Sequence, residues 1–305
     1  MSIETYLHEL ADADAPLKGG RLSNLSDLDD DDLERLESVW PTLRVDRRRA
    51  VLEQLAALAE DNPELDFDAV FLTALSDADA AARVLAIGGL WESEDHEVGA
   101  QLVRLVREDP SDQVRAAAAM GLGRFVLLGE YGDLRPRDAA TVVETLRAVV
   151  TDPRETDEVR GRALEAVGAC SQPWVKGIIE DAYAGGSDRL TLSAVHAMGR
   201  SADAAWLPTL ARELHSRDAE MRFEAVTAYG EIEEEASVPD LIPMMDDEDA
   251  EVQEAAIQAL GRIGGGEAKA VLRRRLRDPI PRVREAVEAA LDQAQFDDDP
   301  MGLRL

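Results

Sequence analysis

Residues 159–168 read Val-Arg-Gly-Arg-Ala-Leu-Glu-Ala-Val-Gly, and residues 252–261 read Val-Gln-Glu-Ala-Ala-Ile-Gln-Ala-Leu-Gly. The same pattern begins at an interval of 31 residues at Val159, Leu190, Met221, Val252 and Val283. A glycine closes the pattern in the same register at Gly168, Gly199, Gly230 and Gly261, and Asp292 takes this place in the fifth copy. A period of this length predicts a repeat protein whose units bury their apolar faces by stacking on their neighbours.

Each unit reads as two helices. Between Ala236 and Gly264 the apolar residues of the first helix recur at spacings of three and four, at Val238, Leu241 and Met245. An acidic run follows, and a second apolar stripe predicts the second helix at Val252, Ala256, Ile257 and Leu260. Residues that can cap a helix stand three positions before the leading apolar residues, at Asp79, Ser111, Thr156, Ser187, Asp218 and Asp249.

Glycine recurs inside the predicted second helices, where it costs about 1 kcal/mol relative to alanine. We therefore expect neighbouring second helices to approach each other closely at these positions, because close packing offsets that cost. The glycines in question are Gly121, Gly123, Gly168, Gly199, Gly230 and Gly261.

Weaker copies of the pattern lead back to Val114 and Ala82, and an eighth helical pair precedes them. We expect an N-terminal helix and loop at 1–26, an atypical capping pair at 27–64, the repeat array at 65–295 and an acidic tail at 296–305. The step from Val114 to Val159 exceeds the period. This surplus predicts an insertion near 125–139 that lengthens a second helix and then forms a loop containing Gly129, Gly132 and Pro136.

The motif Val-Arg-x-x-Ala-x-x-Ala-Leu-Gly resembles HEAT-like repeats, particularly the short class named after phycobilin lyases, over roughly residues 65–292. The resemblance implies an all-α fold, a right-handed α-solenoid (α-α superhelix) of about eight helical pairs. It also implies that the second helices line a concave surface. Proteins with such arrays are mostly protein-binding scaffolds, and some are enzymes.

The composition agrees with a helical array and limits the possible partners. The formal net charge is −30, from 63 acidic and 33 basic residues, which disfavours nucleic-acid binding because a phosphate backbone would be repelled. An acidic groove for a basic partner and a simply well-solvated surface both remain open. No apolar stretch is long enough to predict a membrane span, and the absence of an export signal predicts a cytoplasmic protein. The lone Cys170 excludes an intramolecular disulfide framework.

Arginine follows the leading apolar residue in five units, at Arg83, Arg115, Arg160, Arg222 and Arg284. Acidic residues lie two positions before the capping residues, at Asp77, Asp109, Asp247 and Asp278. The pattern favours ion pairs between successive units over an arginine row that binds a ligand. Thr191 and Gln253 interrupt the row, which harms a continuous charge track more than it harms a set of local braces.

The sequence gives less support to an enzyme. His8-Glu9 and His96-Glu97 are similar to the His-Glu pairs of the HEAT-like deoxyhypusine hydroxylases, in which such pairs hold two irons. Matching pairs are not repeated here, because Ala197 follows His196 and Ser216 follows His215. We predict no catalytic, cofactor-binding or metal-binding residues, and bilin lyase activity is implied by the family name alone.

Positions two, three and six after a leading residue are expected to face away from the buried stripe. Three units carry distinctive side chains there, and these predict partner-binding residues at Arg162, Glu165, Leu192, His196, Phe223, Glu224 and Thr227. An exposed leucine and phenylalanine among polar neighbours would suit a protein interface, whereas a shift of the register by one position would place both in the core. The sequence thus favours a noncatalytic scaffold that holds a protein or peptide on its concave face. The alternative is a HEAT-repeat enzyme, either metal-dependent or bilin-lyase-like.

Overall fold

The computed structural model describes residues 3–12 and 16–298. The chain divides into two compact units, Met1–Ala166 and Val167–Leu305. The described residues form α-helices and short 3-10 helices, with no β-strand among them.

The first unit holds the helices up to α10, whose last residue lies at the boundary with the second unit. Their bounds are α1 Ile3–Ala11, α2 Gly19–Leu22, α3 Asp30–Val39, α4 Val45–Asp61, α5 Asp68–Ala74, α6 Ala80–Gly89, α7 His96–Glu108, α8 Asp112–Tyr131, α9 Pro136–Thr151 and α10 Asp157–Val167. Two 3-10 helices, Ser23–Leu25 and Trp40–Thr42, lie among them.

The second unit continues with the same alternation of first and second helices. The bounds are α11 Trp174–Gly185, α12 Asp188–Arg200, α13 Leu207–Glu213, α14 Ala219–Ile232, α15 Val238–Leu241, α16 Ala250–Ile263, α17 Gly265–Arg275 and α18 Pro281–Asp298. Three 3-10 helices, Ala204–Trp206, Glu235–Ser237 and Pro243–Asp246, complete it. From α3 onward the helices form eight successive pairs, which is the α-solenoid architecture predicted from the sequence.

Second helices pack directly on one another. In the second unit α14 lies against α12 and α16, and α16 lies against α18; in the first unit α6 lies against α4 and α8. Four glycines face alanines of the next second helix, and a Cβ atom added to each would lie 2.6–2.9 Å from its nearest neighbour. These Gly–Ala contacts are Gly168 with Ala197, Gly199 with Ala228, Gly230 with Ala259 and Gly261 with Ala290. The expected close approach is therefore observed at these four positions. The expectation is wrong for Gly121, which faces the side chain of Leu102 on α7, and an added Cβ atom at Gly123 would lie at an ordinary contact distance of 3.4 Å from Ala166.

The helix starts follow the predicted caps with one exception. The side chains of Asp79, Ser187, Asp218 and Asp249 accept hydrogen bonds from backbone N–H groups of the first turn. Thr156 accepts from the Val159 N–H at 3.3 Å. The prediction is wrong for Ser111, whose side chain makes no capping hydrogen bond.

Two predicted details differ in the structure. The first helix expected over Val238–Met245 is divided into α15 and the 3-10 helix Pro243–Asp246, because a proline at 243 has no N–H to continue the α-helical pattern. Phe125 lies in a lengthened α8 as predicted, but Gly129 is also helical. The insertion loop is therefore short, and it contains Gly132 with a φ of 85° before α9 begins at Pro136.

The ends of the array also add detail. Tyr6, Leu7 and Leu10 of α1 are buried, and the segment predicted as a loop after it contains α2. Helix α18 extends to Asp298, so it overlaps the predicted tail, whose remaining residues 299–305 lie outside the described residues. The predicted segment boundaries at 26, 64 and 295 stay predictions.

Candidate functional site

Buried arginine–carboxylate pairs join consecutive helical pairs in the first unit. Arg83 binds Asp109 through two hydrogen bonds of 2.8 Å each, and both residues are buried. Arg48 binds Asp77 in the same two-pronged way at 2.6 and 3.0 Å, although the sequence pattern did not single out Arg48. Arg115 pairs with Glu155 at 2.8 Å, and these two residues are half-buried. We call these contacts the arginine braces.

Each brace also fixes a loop of its own unit. The Arg83 guanidinium donates to the carbonyl oxygen of Asp77, six residues earlier, at 2.7 Å. Arg115, Arg222 and Arg284 reach the carbonyl at the same offset, at 2.9, 2.9 and 2.8 Å. Arg83, Arg115 and Arg222 thus each bind a loop carbonyl and a carboxylate together, which is a use of the planar guanidinium that lysine cannot reproduce. The predicted pairing is wrong for Arg284, which among the described residues donates to the carbonyls of Asp278 and Pro279 and to no carboxylate.

The second unit has one complete brace and one position at which glutamine replaces the arginine. Arg222 binds Asp247 at 2.8 Å through two nitrogens. Gln253 replaces an arginine and still donates to the carbonyl oxygen six residues earlier, at 2.8 Å. The predicted pairing is wrong for Arg160, which donates to the Val150 carbonyl and to Asp157 of its own helix. The braces pair each arginine with a later carboxylate, and Gly185 stands where an acid would be needed, two positions before the next capping residue, Ser187.

The electrostatics support a structural role for the braces. Burial alone would raise the pKa of Asp77, but the hydrogen bonds from Arg48 and Trp40 and from the Asp79 N–H outweigh it, and the pKa is lowered. The pKa of Asp247 is lowered in the same way, with Arg222 outweighing burial. The paired arginines are therefore occupied by these carboxylates and do not form an open row for a ligand.

Five of the seven predicted partner-binding residues lie on two helices of the second unit that pack together. Leu192 and His196 are on α12, and Phe223, Glu224 and Thr227 are on α14. The His196 Nδ1 atom lies 3.1 Å from a Glu224 carboxylate oxygen, so these two predicted residues contact each other. We call these five residues the second-helix surface.

The leucine and the phenylalanine differ from the exposed pair that the pattern suggested. Leu192 and Phe223 are both half-buried, because α14 is packed between α12 and α16. Each lies two positions after a buried leading residue, Leu190 or Met221, and is less buried than that residue, as the pattern predicted. The shifted-register alternative, which places both in the core, does not fit their partial exposure.

The remaining two predicted residues belong to the first unit. Arg162 and Glu165 lie on α10, where Arg162 binds both Glu158 and Glu165 at 3.0 Å. Glu165 is half-buried at this position. These residues form a network along one helix, and the structure does not test their predicted role in binding.

Glu231 on α14 is a charged residue that the sequence pattern did not select. Burial raises the pKa of its carboxyl, an effect that the nearby charges of His196, Arg200 and Arg262 partly oppose. Glu231 follows Glu224 by seven residues, two helical turns, and so projects on the same side of α14. This spacing was the signal that could have found it.

The described residues contain neither a cluster of metal ligands nor a helix that could cross a membrane. Over 3–12 and 16–298, no three or more His, Cys, Asp or Glu side chains are grouped as metal ligands would be. His96 contacts the neighbouring Asp95 at 2.8 Å. None of the described helices combines the length and the apolarity needed to cross a bilayer.

A family model described as HEAT repeats matches residues 68–168 and 207–292. No curated protein matches the chain significantly. Among solved structures, the CpcE–CpcF complex of phycocyanin lyase from Nostoc is 16% identical, with a TM-score of 0.55, over 93% of this chain and 97% of that one.

Two further structures are less similar in shape. Human deoxyhypusine hydroxylase is 22% identical with a TM-score of 0.38, over 87% of this chain and 96% of that one. A designed armadillo repeat protein is 18% identical with a TM-score of 0.37, over 64% and 98%. Similarity at these identities concerns the fold and does not transfer an activity.

Proposed function

The chain belongs to the HEAT-repeat family, and we propose that it is a noncatalytic scaffold that holds a protein or peptide partner on its second-helix surface. One observation carries the proposal. Two packed helices present half-exposed Leu192 and Phe223 beside the His196–Glu224 contact. Aromatic and aliphatic anchors among polar side chains are the usual content of a protein interface.

The support beneath this surface favours binding over chemistry. The Gly–Ala contacts and the arginine brace between Arg222 and Asp247 fix α12, α14 and α16 relative to one another. A surface whose helices are fixed in this way loses little conformational entropy when a partner binds. The family in general binds proteins through such surfaces.

The test is affinity capture with quantitative mass spectrometry, followed by titration of each captured protein in purified form. We expect Leu192→Ala combined with Phe223→Ala to weaken a specific partner by about tenfold or more, since buried anchors dominate interface energy. Ile242→Ala is the matched control, because Ile242 is an apolar residue of the same unit at the edge of exposure, outside the second-helix surface.

Folding must be checked because both anchors are half-buried. A second variant, His196→Gln with Glu224→Gln, changes polar atoms only and should weaken the same partner. Equal capture by wild type and both variants, with unchanged thermal unfolding, would reject the proposal. Stoichiometric iron or zinc in the purified protein would instead favour the enzyme alternative.

A further inference from the structure

The sign of the charge is reversed at one place in this acidic chain. Residues 269–284 contain seven basic residues and one acidic residue, whereas the whole chain has 63 acidic and 33 basic residues. The segment covers the second half of α17, the loop after it and the start of α18. A local excess of positive charge attracts negatively charged partners.

Three arginines of this segment are exposed. Arg273, Arg274 and Arg277 have neither an ion pair nor a side-chain hydrogen bond among the described residues. Helical spacing places Arg273 and Arg274 on the side of α17 opposite the buried Leu272, and Arg277 follows Arg273 by about one turn. Like charges at this spacing repel each other, so carboxylates from outside the chain would stabilise all three.

An exposed apolar residue follows the three arginines. Ile280 is 49% exposed and stands three residues before Val283, at a position where six earlier units carry aspartate, serine or threonine. Isoleucine has no oxygen that could accept from the N–H groups of a helix start. This unit therefore presents an apolar side chain to solvent where the other units have a residue that can cap a helix.

The loop that carries Ile280 is held in place by hydrogen bonds. Asp278 accepts from the Ile280 N–H at 3.0 Å and from Arg275 at 3.1 Å. Arg284 donates to the carbonyl oxygens of Asp278 and Pro279 at 2.8 and 3.3 Å. A proline on each side of Ile280 restricts the backbone further. A loop fixed in this way loses little conformational entropy when it contacts a partner.

We propose that Arg273, Arg274, Arg277 and Ile280, which we call the basic surface, bind an acidic peptide segment of a partner protein. Each guanidinium can hold a carboxylate through two parallel hydrogen bonds. Ile280 supplies a contact for an apolar side chain of the same segment, and apolar contact is a feature of protein partners.

The overall charge limits the length of the negatively charged partner. A short acidic segment can lie on the basic surface alone, whereas a long nucleic acid would extend over acidic parts of a chain with a net charge of −30 and be repelled. None of these residues belongs to the second-helix surface. The site therefore goes beyond the proposed function and is tested independently of it.

The probe is the labelled peptide fluorescein-Asp-Glu-Asp-Leu-Glu-Asp-Glu-amide, compared with the same peptide in which asparagine and glutamine replace the acids. Binding is followed by fluorescence anisotropy at an ionic strength of about 0.15 M, where charges more than about 8 Å apart are largely screened. We expect saturable binding of the acidic peptide. The neutral peptide should bind about tenfold more weakly or less, because charge-assisted hydrogen bonds are the stronger ones.

A variant with glutamine at all three arginines of the basic surface measures their contribution. The changes Arg273→Gln, Arg274→Gln and Arg277→Gln together should weaken the acidic peptide by about tenfold or more. The thermal unfolding temperature should stay close to that of the wild type, because these side chains are exposed and have no ion pair among the described residues.

A matched variant separates local contact from the change in net charge. It removes three exposed arginines elsewhere that also have no ion pair in the described part of the chain, by the changes Arg104→Gln, Arg137→Gln and Arg217→Gln. This variant should alter binding of the acidic peptide by less than about twofold, since distant exposed charges are screened.

Ile280→Ser tests the apolar contact separately from the charges. It should weaken the acidic peptide by about threefold or more, and it should have no effect on a peptide in which glycine replaces the leucine. Serine can cap a helix, so the thermal unfolding temperature should not fall. Unchanged binding of the leucine peptide would contradict the role of Ile280.

Four other results would overturn the proposal. Three of them are no saturable binding, equal binding of the neutral peptide, and an equal loss in the two triple variants. The fourth is tighter binding of a fluorescein-labelled uridine oligonucleotide of the same length than of the acidic peptide, which would assign the basic surface to a nucleic acid.

Discussion

Gly199→Ala tests whether the Gly–Ala contacts hold the second helices together. An added Cβ atom at Gly199 would lie 2.6 Å from the Cα atom of Ala228 and 2.9 Å from its Cβ atom. Carbon atoms in contact prefer about 3.5–4.0 Å, so α12 and α14 would have to separate by roughly 1 Å. The atom in the way belongs to the backbone, which cannot rotate aside.

The expected loss can be estimated from two opposing effects. Overpacking of this kind costs about 1–3 kcal/mol, and the close distance places Gly199→Ala at the upper end. Alanine in place of glycine inside a helix returns about 1 kcal/mol. We therefore expect a net loss of about 2 kcal/mol in the free energy of unfolding.

Gly177→Ala is the matched control, since Gly177 lies within α11 of the same unit and an added Cβ atom would have no neighbour within 4 Å. It should stabilise by up to about 1 kcal/mol. Urea unfolding followed by circular dichroism measures both variants. If Gly199→Ala matched the wild type or shared the gain of Gly177→Ala, the close-contact argument would be refuted.

Three further predictions concern charged groups. Arg83→Met should destabilise the protein by about 3 kcal/mol in thermal or urea unfolding, because buried Asp109 loses its partner; Arg49→Met, at a half-exposed pair with Asp79, should cost clearly less. Glu231→Gln should raise the unfolding midpoint at pH 7 and lose this advantage near pH 4, since burial raises the folded-state pKa of this carboxyl and the charged form is the disfavoured one. The pKa values of Asp77 and Asp247 are lowered in the fold, so their contribution to the free energy of unfolding is complete above the ordinary pKa of 3.8 and is lost as the pH falls from there through the lowered folded-state values. A free energy of unfolding that stayed constant from pH 5 to pH 2 would contradict this.

Much of the fold could be predicted because its determinants are local and repeat in phase. The apolar spacing, the capping aspartates and the glycine register each recur with the period, so the helices predicted for one unit can be compared with those predicted for the next. The arginine pattern also predicted the Arg83–Asp109 and Arg222–Asp247 pairs. Arg48 was not predicted because the atypical first pair does not carry the repeat motif, and the pairing of Arg160 failed because Gly185 stands in the acidic position before the next capping residue.

The candidate surface was predicted less completely. Helical periodicity identified Phe223 and Glu224 on the open side of α14, but it could not give the degree of exposure, which depends on how closely α12 and α16 pack. The contact between His196 and Glu224 joins two helices, and no pattern within one helix reports it. Glu231 was not predicted because the feature that distinguishes it, a raised pKa, is caused by its burial in the fold, which the sequence does not record.

The sequence by itself determined that this chain forms stacked helical pairs, since periodicity, caps and small residues act within a few turns of the chain. Only the tertiary structure decided which side chains from different helices meet. His196 on α12 meets Glu224 on α14, and Arg83 on α6 meets Asp109 at the end of α7, which lie 28 and 26 residues apart along the chain. The physical reason is that charge balance and hydrogen-bond satisfaction are properties of a place in space, and the sequence records only order along the chain.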